Sequence, residues 1–352
     1  MRLHTTALLV AGLIFAASTA RAKATIVIID KDAAGQGFND NTPFSPVGGN
    51  NATTLGQARM IAFQAAAAIW STRLESSVEI DVDAQWAALA CSIYSGVLGQ
   101  AGTIAVFQNF SHAPYPNTSY AGALANALAG EDLDPKTSEI AATFNTALGT
   151  ASCFPSNPWY FGLDGAGPSY AVDLVSIVAH ELGHGLGFQT YINVSTGAKY
   201  AGMDDAYLLN LEQYGASPSV LRDMTDAERA LADTSEPSLL WTGSQVTQAG
   251  LSTLTAGVNH GLVRLYGPNP IRVGSSVTHF SSVVNPSQLM RPDYIRAQHD
   301  PGLALPLLQD IGWPVPQPTQ VPESNWWSIG LLACAFIAAA AFLTKQPHSD
   351  PQ

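Results

Sequence analysis

Two histidines four positions apart, with a glutamate directly after the first, constrain this chain more than any other feature. The segment reads His180-Glu-Leu-Gly-His184. In an α-helix, residues four apart are neighbours on one face, so both imidazoles would point to the same side. The spacing has this meaning only in a helix, and the flanking residues therefore decide its interpretation.

Those flanking residues predict an amphipathic helix. Asp173 is of a type that caps helix N-termini by accepting a backbone hydrogen bond. Apolar residues follow at the spacing of one helix face, nearly opposite the histidines: Leu174, Val175, Val178, Leu182 and Leu186. Gly185 and Gly187 favour a helix end and a sharp turn. The pattern indicates a helix that packs on a core and turns its histidines toward a cleft.

This residue set is typical of a zinc peptidase. Two helical histidines are a common ligand pair for Zn²⁺, and the intervening glutamate is not needed as a ligand. Zinc lowers the pKa of a bound water, and a nearby carboxylate can take the proton while the hydroxide attacks a peptide carbonyl. We therefore expect His180 and His184 to bind Zn²⁺ and Glu181 to act as the general base.

A catalytic zinc site usually takes three protein ligands, so the chain has to supply one more. The motif continues as His184-Gly-Leu-Gly187. As far as Gly187, which stands at the position of the signature's glycine, it resembles the metzincin peptidase signature. That signature places a third His or Asp after the glycine and any two residues. Thr190 stands at this position and is a poor zinc ligand, which excludes the compact form of the site.

Segments further along the chain resemble the leishmanolysin-like branch of the metzincins, in which a long insertion precedes the third histidine. Ser276-Val-Thr-His279-Phe280 is similar to that histidine and its aromatic neighbour. Residues 285–292, which include Leu289-Met290-Arg-Pro292, are similar to the Met-turn below the metal. Residues 305–313 are similar to the closing helix of the family.

The resemblance implies an α+β fold of the metzincin type, a mixed twisted sheet over the active-site helix, followed by a mostly irregular and helical C-terminal subdomain. It also implies that His279 is the third zinc ligand and that Met290 packs below the three imidazoles. Tyr294, close after the Met-turn, is a candidate donor to the oxyanion of the transition state. A protein or peptide substrate is expected to add to an exposed sheet edge through main-chain hydrogen bonds.

Three other histidines are alternative third ligands. His260 lies between Asn259 and Gly261, without metal-site context. His112 is a weaker alternative, as is His299, which follows the Met-turn where a loop of the substrate cleft is expected. The ligand count that zinc requires, together with the resemblance, favours His279.

Periodicity and propensity predict further elements along the chain. Strands are expected at residues 24–29, 78–86 and 103–110, and helices at 54–74, 138–148, 205–214, from Thr225 with a capping box to Glu228, and at 302–311. The expected organisation is a signal peptide 1–22, an N-terminal zincin subdomain 23–188, an insertion 189–278, a C-terminal subdomain 279–313, a proline-rich spacer 314–325, a transmembrane or sorting segment 326–345 and a polar tail 346–352.

Both ends of the chain indicate export. Arg2 precedes an apolar stretch too short to span a bilayer, and Ala20-Arg-Ala22 has the form of a signal-peptide cleavage site. Residues 326–344 are uncharged and long enough to span a bilayer. Val321-Pro-Glu-Ser324 resembles bacterial sorting signals that begin Val-Pro-Glu-Pro, with serine in place of the second proline. We expect a bacterial protein that is secreted or anchored to the envelope through this C-terminal membrane segment.

Charge and cysteine content narrow the classes of function. A net charge of −12 argues against a nucleic-acid partner, because phosphate binding needs clustered basic residues. Of the three cysteines, Cys334 lies in the tail, which leaves Cys91 and Cys153 as a candidate disulfide. No Gly-x-Ser-x-Gly motif indicates a serine hydrolase. A non-catalytic surface or matrix adhesion protein is the main alternative, against which Glu181 argues because a structural metal site needs no base.

Overall fold

The computed structural model describes residues 22–316. Residues 1–21 of the predicted signal peptide, residues 317–325 of the predicted spacer, and the predicted membrane segment and polar tail lie outside the described residues. The strands in chain order are β1 Ile26–Asp30, β2 Ile80–Ala87, β3 Gly99–Thr103, β4 Val106–Phe107, β5 Thr118–Ala121, β6 Ile140–Asn145, β7 Trp159–Tyr160, β8 Val172–Asp173, β9 Asp204–Asp205, β10 Leu211–Gln213, β11 Leu239–Trp241, β12 Val258–Asn259 and β13 Leu262–Arg264. The α-helices are α1 Leu55–Ser71, α2 Gly122–Ala129, α3 Leu174–Gly185, α4 Asp226–Ala232, α5 Ser244–Thr253 and α6 Ala304–Asp310.

A four-stranded mixed sheet positions the site. Its strand order is β1-β2-β6-β3, with the first three strands parallel and β3 antiparallel at the edge. In β2 the residues Ile80, Val82, Ala84 and Trp86 are buried, and the charged residues between them are only half-buried. This alternation confirms the predicted strand and shows which face of the sheet covers the core.

Helices α1 and α3 pack against each other under this sheet. The Thr54 side chain caps α1 by accepting a hydrogen bond from Gln57 N, which confirms the predicted helix start. Small buried residues along α1, such as Ala62 and Ala66, allow close helix contact. The Trp70 indole donates to the carbonyl of Ala179 in α3 at 2.8 Å. This bond joins the long helix directly to the helix that carries the histidines.

The predicted helix at residues 138–148 is wrong, because this segment forms strand β6. Ile140, Ala142 and Phe144 alternate as buried residues between β2 and β3. The helix preference of alanine amounts to less than about 1 kcal/mol per residue, and burying an apolar strand face between two neighbours outweighs it. The predicted strand at 103–110 is also shifted, since β3 ends at Thr103 and β4 is a separate short strand.

The second half of the chain builds an antiparallel sheet in the order β10-β11-β13-β12. The predicted helix at 205–214 is wrong, because Leu211 pairs with Trp241 and only residues Leu208–Asn210 form a short 3-10 turn. The capping box of Thr225 and Glu228 starts α4 as predicted, and α6 confirms the predicted helix at 302–311.

Mixed, parallel and antiparallel sheets together with six α-helices make the described chain an α+β protein. Cys91 and Cys153 form the disulfide that the sequence predicts, joining the loop after β2 to the loop after β6. Residues 22–315 belong to one compact unit. Within residues 22–316 there is no helix with the length and hydropathy that a membrane span requires.

Candidate metal centre

Helix α3 begins and ends where the sequence predicts. The Asp173 carboxylate accepts hydrogen bonds from Ser176 N at 2.8 Å and from the Ser176 hydroxyl. The apolar face of the helix, including Leu174, Val178 and Leu182, is buried. The helix ends at Gly185, and Gly187 adopts a φ of 113° that a side chain would strain. The amphipathic pattern therefore places the motif on a helix whose apolar face packs on the core and whose other face lines a cleft.

Three histidines converge at this helix. His180 Nε2 lies 3.2 Å from His184 Nε2 and 3.1 Å from His279 Nε2, and the remaining pair is 3.3 Å apart. The three side chains form a group whose ligand atoms could share one metal ion. Three nitrogens bound at about 2.0–2.1 Å to a tetrahedral zinc would lie roughly 3.3–3.4 Å apart. The observed spacing of 3.1–3.3 Å is slightly shorter and suits one metal ion bound by all three rings.

The other ring nitrogen of each histidine is held by a backbone carbonyl. His180 Nδ1 lies 2.8 Å from Leu289 O, His184 Nδ1 lies 2.9 Å from Phe188 O, and His279 Nδ1 lies 2.8 Å from Ser275 O. A carbonyl only accepts, so each neutral ring carries its proton on Nδ1 and directs a lone pair from Nε2 inward. Three lone pairs at this distance repel one another unless a cation lies between them.

Burial keeps these rings neutral. It lowers the pKa of His184 to about 3, with the neighbouring His180 adding to the effect. It also lowers the pKa of His180, and it places the pKa of His279 well below its ordinary value. Neutral imidazoles are the form that binds metal ions, so the centre is prepared for a ligand role at neutral pH.

Glu181 lies beside the edge strand β3. Its side chain is only 8% exposed, and its Cγ is 3.1 Å from the position that a Cβ on Gly99 would occupy. Burial raises the pKa of the carboxyl to about 8, and a hydrogen bond with the Ala101 backbone acts in the opposite direction. A buried carboxylate is a stronger base than an exposed one, and a divalent cation nearby would lower its pKa again.

Met290 packs directly against the motif. It is fully buried, and a Cβ added at Gly183 would lie 2.8 Å from its sulfur. The carbonyl of Met290 accepts from Phe280 N at 2.9 Å, and the preceding Leu289 carbonyl holds His180. The turn therefore connects the segment after His279 to the helix, and only glycine at position 183 permits this approach.

The remaining predicted residues lie outside the triad. The Tyr294 hydroxyl accepts from Asp173 N at 3.0 Å and lines the cleft, and His299 Nε2 is 2.8 Å from the Asp173 carboxylate. His260 stacks on the ring of Tyr214 with ring centres 3.6 Å apart. His112 lies in contact with the hydroxyl of its neighbour Ser111. None of the three alternative histidines joins the candidate metal centre.

Thr190 has a different partner. Its hydroxyl donates to the Asp205 carboxylate at 2.8 Å, and the same carboxylate accepts from Tyr191 N and Leu208 N. These bonds turn the chain away from the helix at the position where a compact site would have its third ligand. Sequence reasoning missed Asp205, because the residue lies in a segment that was predicted to be helical.

A cleft of about 1090 Å³ opens over the three histidines. Its walls come from β3, α3 and the loops at 272–279 and 287–298. Gln189 lines it with an amide oxygen that is shielded from solvent and has no hydrogen-bond partner within residues 22–316. Arg272 and Arg296 also line it, and sequence reasoning missed all three residues because nothing in their local pattern distinguishes them.

Comparison of the chain with family models, with curated proteins and with solved structures finds no match. By its own geometry the molecule is an α+β protein with three histidines close enough to bind one metal ion. A buried glutamate and a large cleft lie beside that centre.

Proposed function

We propose that this chain is a zinc-dependent metallopeptidase of the leishmanolysin-like metzincin branch. The observation that carries the proposal is the convergence of three Nε2 atoms from Nδ1-protonated histidines at the floor of an open cleft. A structural zinc site has four protein ligands and is closed, whereas three ligands at a cleft leave a position for water and substrate. The distant third histidine and the buried Met290 support the assignment to this branch.

His180, His184 and His279 would hold the ion. Zinc, when bound, makes water more acidic and polarises a peptide carbonyl. Glu181 takes the proton of the attacking water and returns it to the nitrogen of the leaving amine. The carbonyls that hold the three Nδ1 protons keep the rings oriented throughout, so no ligand has to change its tautomer.

The edge strand β3 provides a place for an extended substrate. Leu98 O accepts from Asn145 N, and Ile104 N donates to Glu139 O, so the even-numbered residues of this segment bond toward β6. In an antiparallel ladder the alternate residues, Gly99 and Ala101, then direct their backbone groups away from the sheet. A peptide that adds to this edge would lie beside Glu181 and the Gln189 amide oxygen, which has no hydrogen-bond partner within residues 22–316.

The disulfide between Cys91 and Cys153 supports export, because such bonds persist in oxidising compartments. Together with the predicted signal peptide and membrane segment, it favours a peptidase that acts at the bacterial envelope or outside the cell. The substrate class is protein or peptide.

Metal analysis combined with casein digestion tests the proposal. The wild-type protein should hold about one zinc per chain and degrade casein, and a chelator should stop the reaction. Glu181→Gln should keep the zinc and lose hydrolysis by at least about a hundredfold, because the base is lost while the ligands remain. Full hydrolysis by this variant would contradict the mechanism, and loss of zinc would make Glu181 a ligand.

A further inference from the structure

The charge of the cleft is opposite to that of the chain. Asp and Glu outnumber Lys and Arg by 27 to 15 in the sequence. Among the charged residues that line the cleft, however, three are arginines, Arg272, Arg291 and Arg296, and only Asp293 accompanies the predicted base Glu181. The cleft thus has more positive than negative groups, and an excess of positive charge raises the local concentration of negatively charged ligands.

The three arginines differ in how far contacts within the protein already engage them. Arg291 is engaged with the carbonyl of Ser282 at 2.8 Å and is partly shielded. Arg272 donates to the Tyr266 hydroxyl, yet its side chain is 57% exposed and its nearest carboxylate, Asp293, is 3.7 Å away. Such an exposed pair is worth little.

Arg296 is exposed and has no hydrogen bond or ion pair with any residue in the range 22–316. The cleft therefore presents at least one unpaired guanidinium, together with a second, Arg272, that is only weakly paired. A guanidinium binds a carboxylate through two parallel hydrogen bonds, which favours Asp or Glu over a neutral amide.

Each of these two arginines has an exposed apolar neighbour in the same cleft. Val273, next to Arg272, is 76% exposed, and Ile295, next to Arg296, is 54% exposed. Both side chains are open to the cleft, so each offers apolar area to a ligand that lies there. The wall made by residues 272–273 and 295–296 thus combines positive charge with apolar area.

We propose that this wall, which we call the arginine wall, selects peptides with an acidic side chain close to the scissile bond and an apolar residue beside it. The proposal rests on the peptidase function proposed above and specifies its substrate class. Arg272 and Arg296 bind the carboxylate of the substrate, and Val273 and Ile295 contact the neighbouring apolar side chain. These four residues are specificity determinants, and they take no part in the bond-breaking step.

Matched peptide pairs test the arginine wall. A fluorogenic peptide carries a single Glu at each of three positions on either side of an apolar cleavage site, and its partner carries Gln at the same position. At low salt the wild-type kcat/KM for the Glu peptide should exceed that for the Gln peptide about fivefold at one position or more. The preference should shrink toward unity at high salt, because exposed charges are screened.

The double variant Arg272→Gln/Arg296→Gln should lose this preference. Arg222→Gln is the matched control, because Arg222 is a comparably exposed arginine outside the cleft, with 46% side-chain exposure. It should keep the wild-type ratio. A Glu-to-Gln ratio at or below one at every position in the wild type would overturn the proposal, as would a double variant that keeps the preference.

Binding of the same peptides to the Glu181→Gln variant, measured by fluorescence anisotropy, separates this inference from the proposed function. Tighter binding of the Glu peptides without any cleavage by the wild type would support the arginine wall and overturn the peptidase proposal. Cleavage of both peptides with equal binding would do the reverse.

Discussion

At the scale of single residues, a variant of His279 distinguishes a three-histidine metal centre from a site with a different third ligand. His279→Ala should lower zinc affinity by orders of magnitude and abolish peptide hydrolysis, because one of three protein ligands is lost. His260→Ala is the matched control, since His260 stacks on Tyr214 away from the triad. Metal content and peptide hydrolysis of the purified variants would check this. The opposite result for the two variants would transfer the ligand role to His260.

A second residue-scale prediction concerns pH and stability. Asp233 is fully buried, neither carboxyl oxygen has a partner within residues 22–316, and burial raises its pKa to about 8 while Arg229 opposes the shift. The unfolded chain has a pKa of about 3.9 for this group, so the native state keeps a proton that the unfolded state releases. The stability contributed by the protonated form is present below about pH 4 and is lost as the pH rises toward 8.

Asp233→Asn replaces the carboxyl by a group that does not ionise. The variant should match the wild type in melting temperature near pH 4 and exceed it by several degrees near pH 8–9, since about 2 kcal/mol or more is involved. Melting curves of the metal-free proteins from pH 4 to 9 would show the difference. Asp223→Asn, at a position with 59% side-chain exposure, should follow the wild type throughout. A constant offset across this range would contradict the assignment.

At the scale of elements, the contact between α3 and the Met290 turn depends on one glycine. Gly183→Ala would place a Cβ 2.8 Å from the Met290 sulfur and 3.3 Å from a ring carbon of Trp70. Overpacking of this kind costs about 1–3 kcal/mol, which exceeds the roughly 1 kcal/mol that alanine adds as a better helix former. The variant should melt at a lower temperature and bind zinc more weakly, because the turn also holds His180.

Thermal melting and zinc competition with a chelator would measure both effects. Gln64→Ala, at an exposed position of α1, is the control for an alanine substitution in a helix and should change neither value. An unchanged melting temperature and zinc affinity in Gly183→Ala would show that the Met290 turn moves aside at no cost.

Individual helices and strands also show which elements a local sequence pattern can predict and which it cannot. Helix α3 was predictable because its cap, its apolar face and its terminal glycines all lie within fifteen residues of one another. Strand β6 was not, since its alanines favour a helix and only pairing with β2 and β3 makes the segment extended. The strand that contains Leu211 was not predictable for the same reason, because it forms by pairing with the distant strand of Trp241.

At the scale of the whole molecule, the fold closes shortly before the predicted membrane segment. The Trp313 indole donates to Leu186 O at 2.7 Å, and Pro314 O accepts from Glu75 N. Deletion of residues 324–352 removes none of these contacts. The shortened protein should therefore be soluble, with unchanged zinc content and activity, which fractionation and a peptide assay would check. Deletion from Trp313 onward is expected to destabilise the fold. Insoluble or inactive protein from the first deletion would mean that the tail is part of the structure.

The sequence alone is enough to predict helix α3, the pair His180 and His184 with Glu181 between them, the start of α1 and the capping box of α4, because each depends on residues within a few turns. It indicated His279 through resemblance to a family. The tertiary structure is needed to show that the His279 ring meets a helix 95 residues earlier, with Nε2 atoms within 3.3 Å. It also shows that Thr190 bonds to Asp205 and that β3 is, among residues 22–316, an edge strand beside the cleft. These features arise from packing between segments that are distant in the sequence, and a local sequence pattern does not reveal how favourable that packing is.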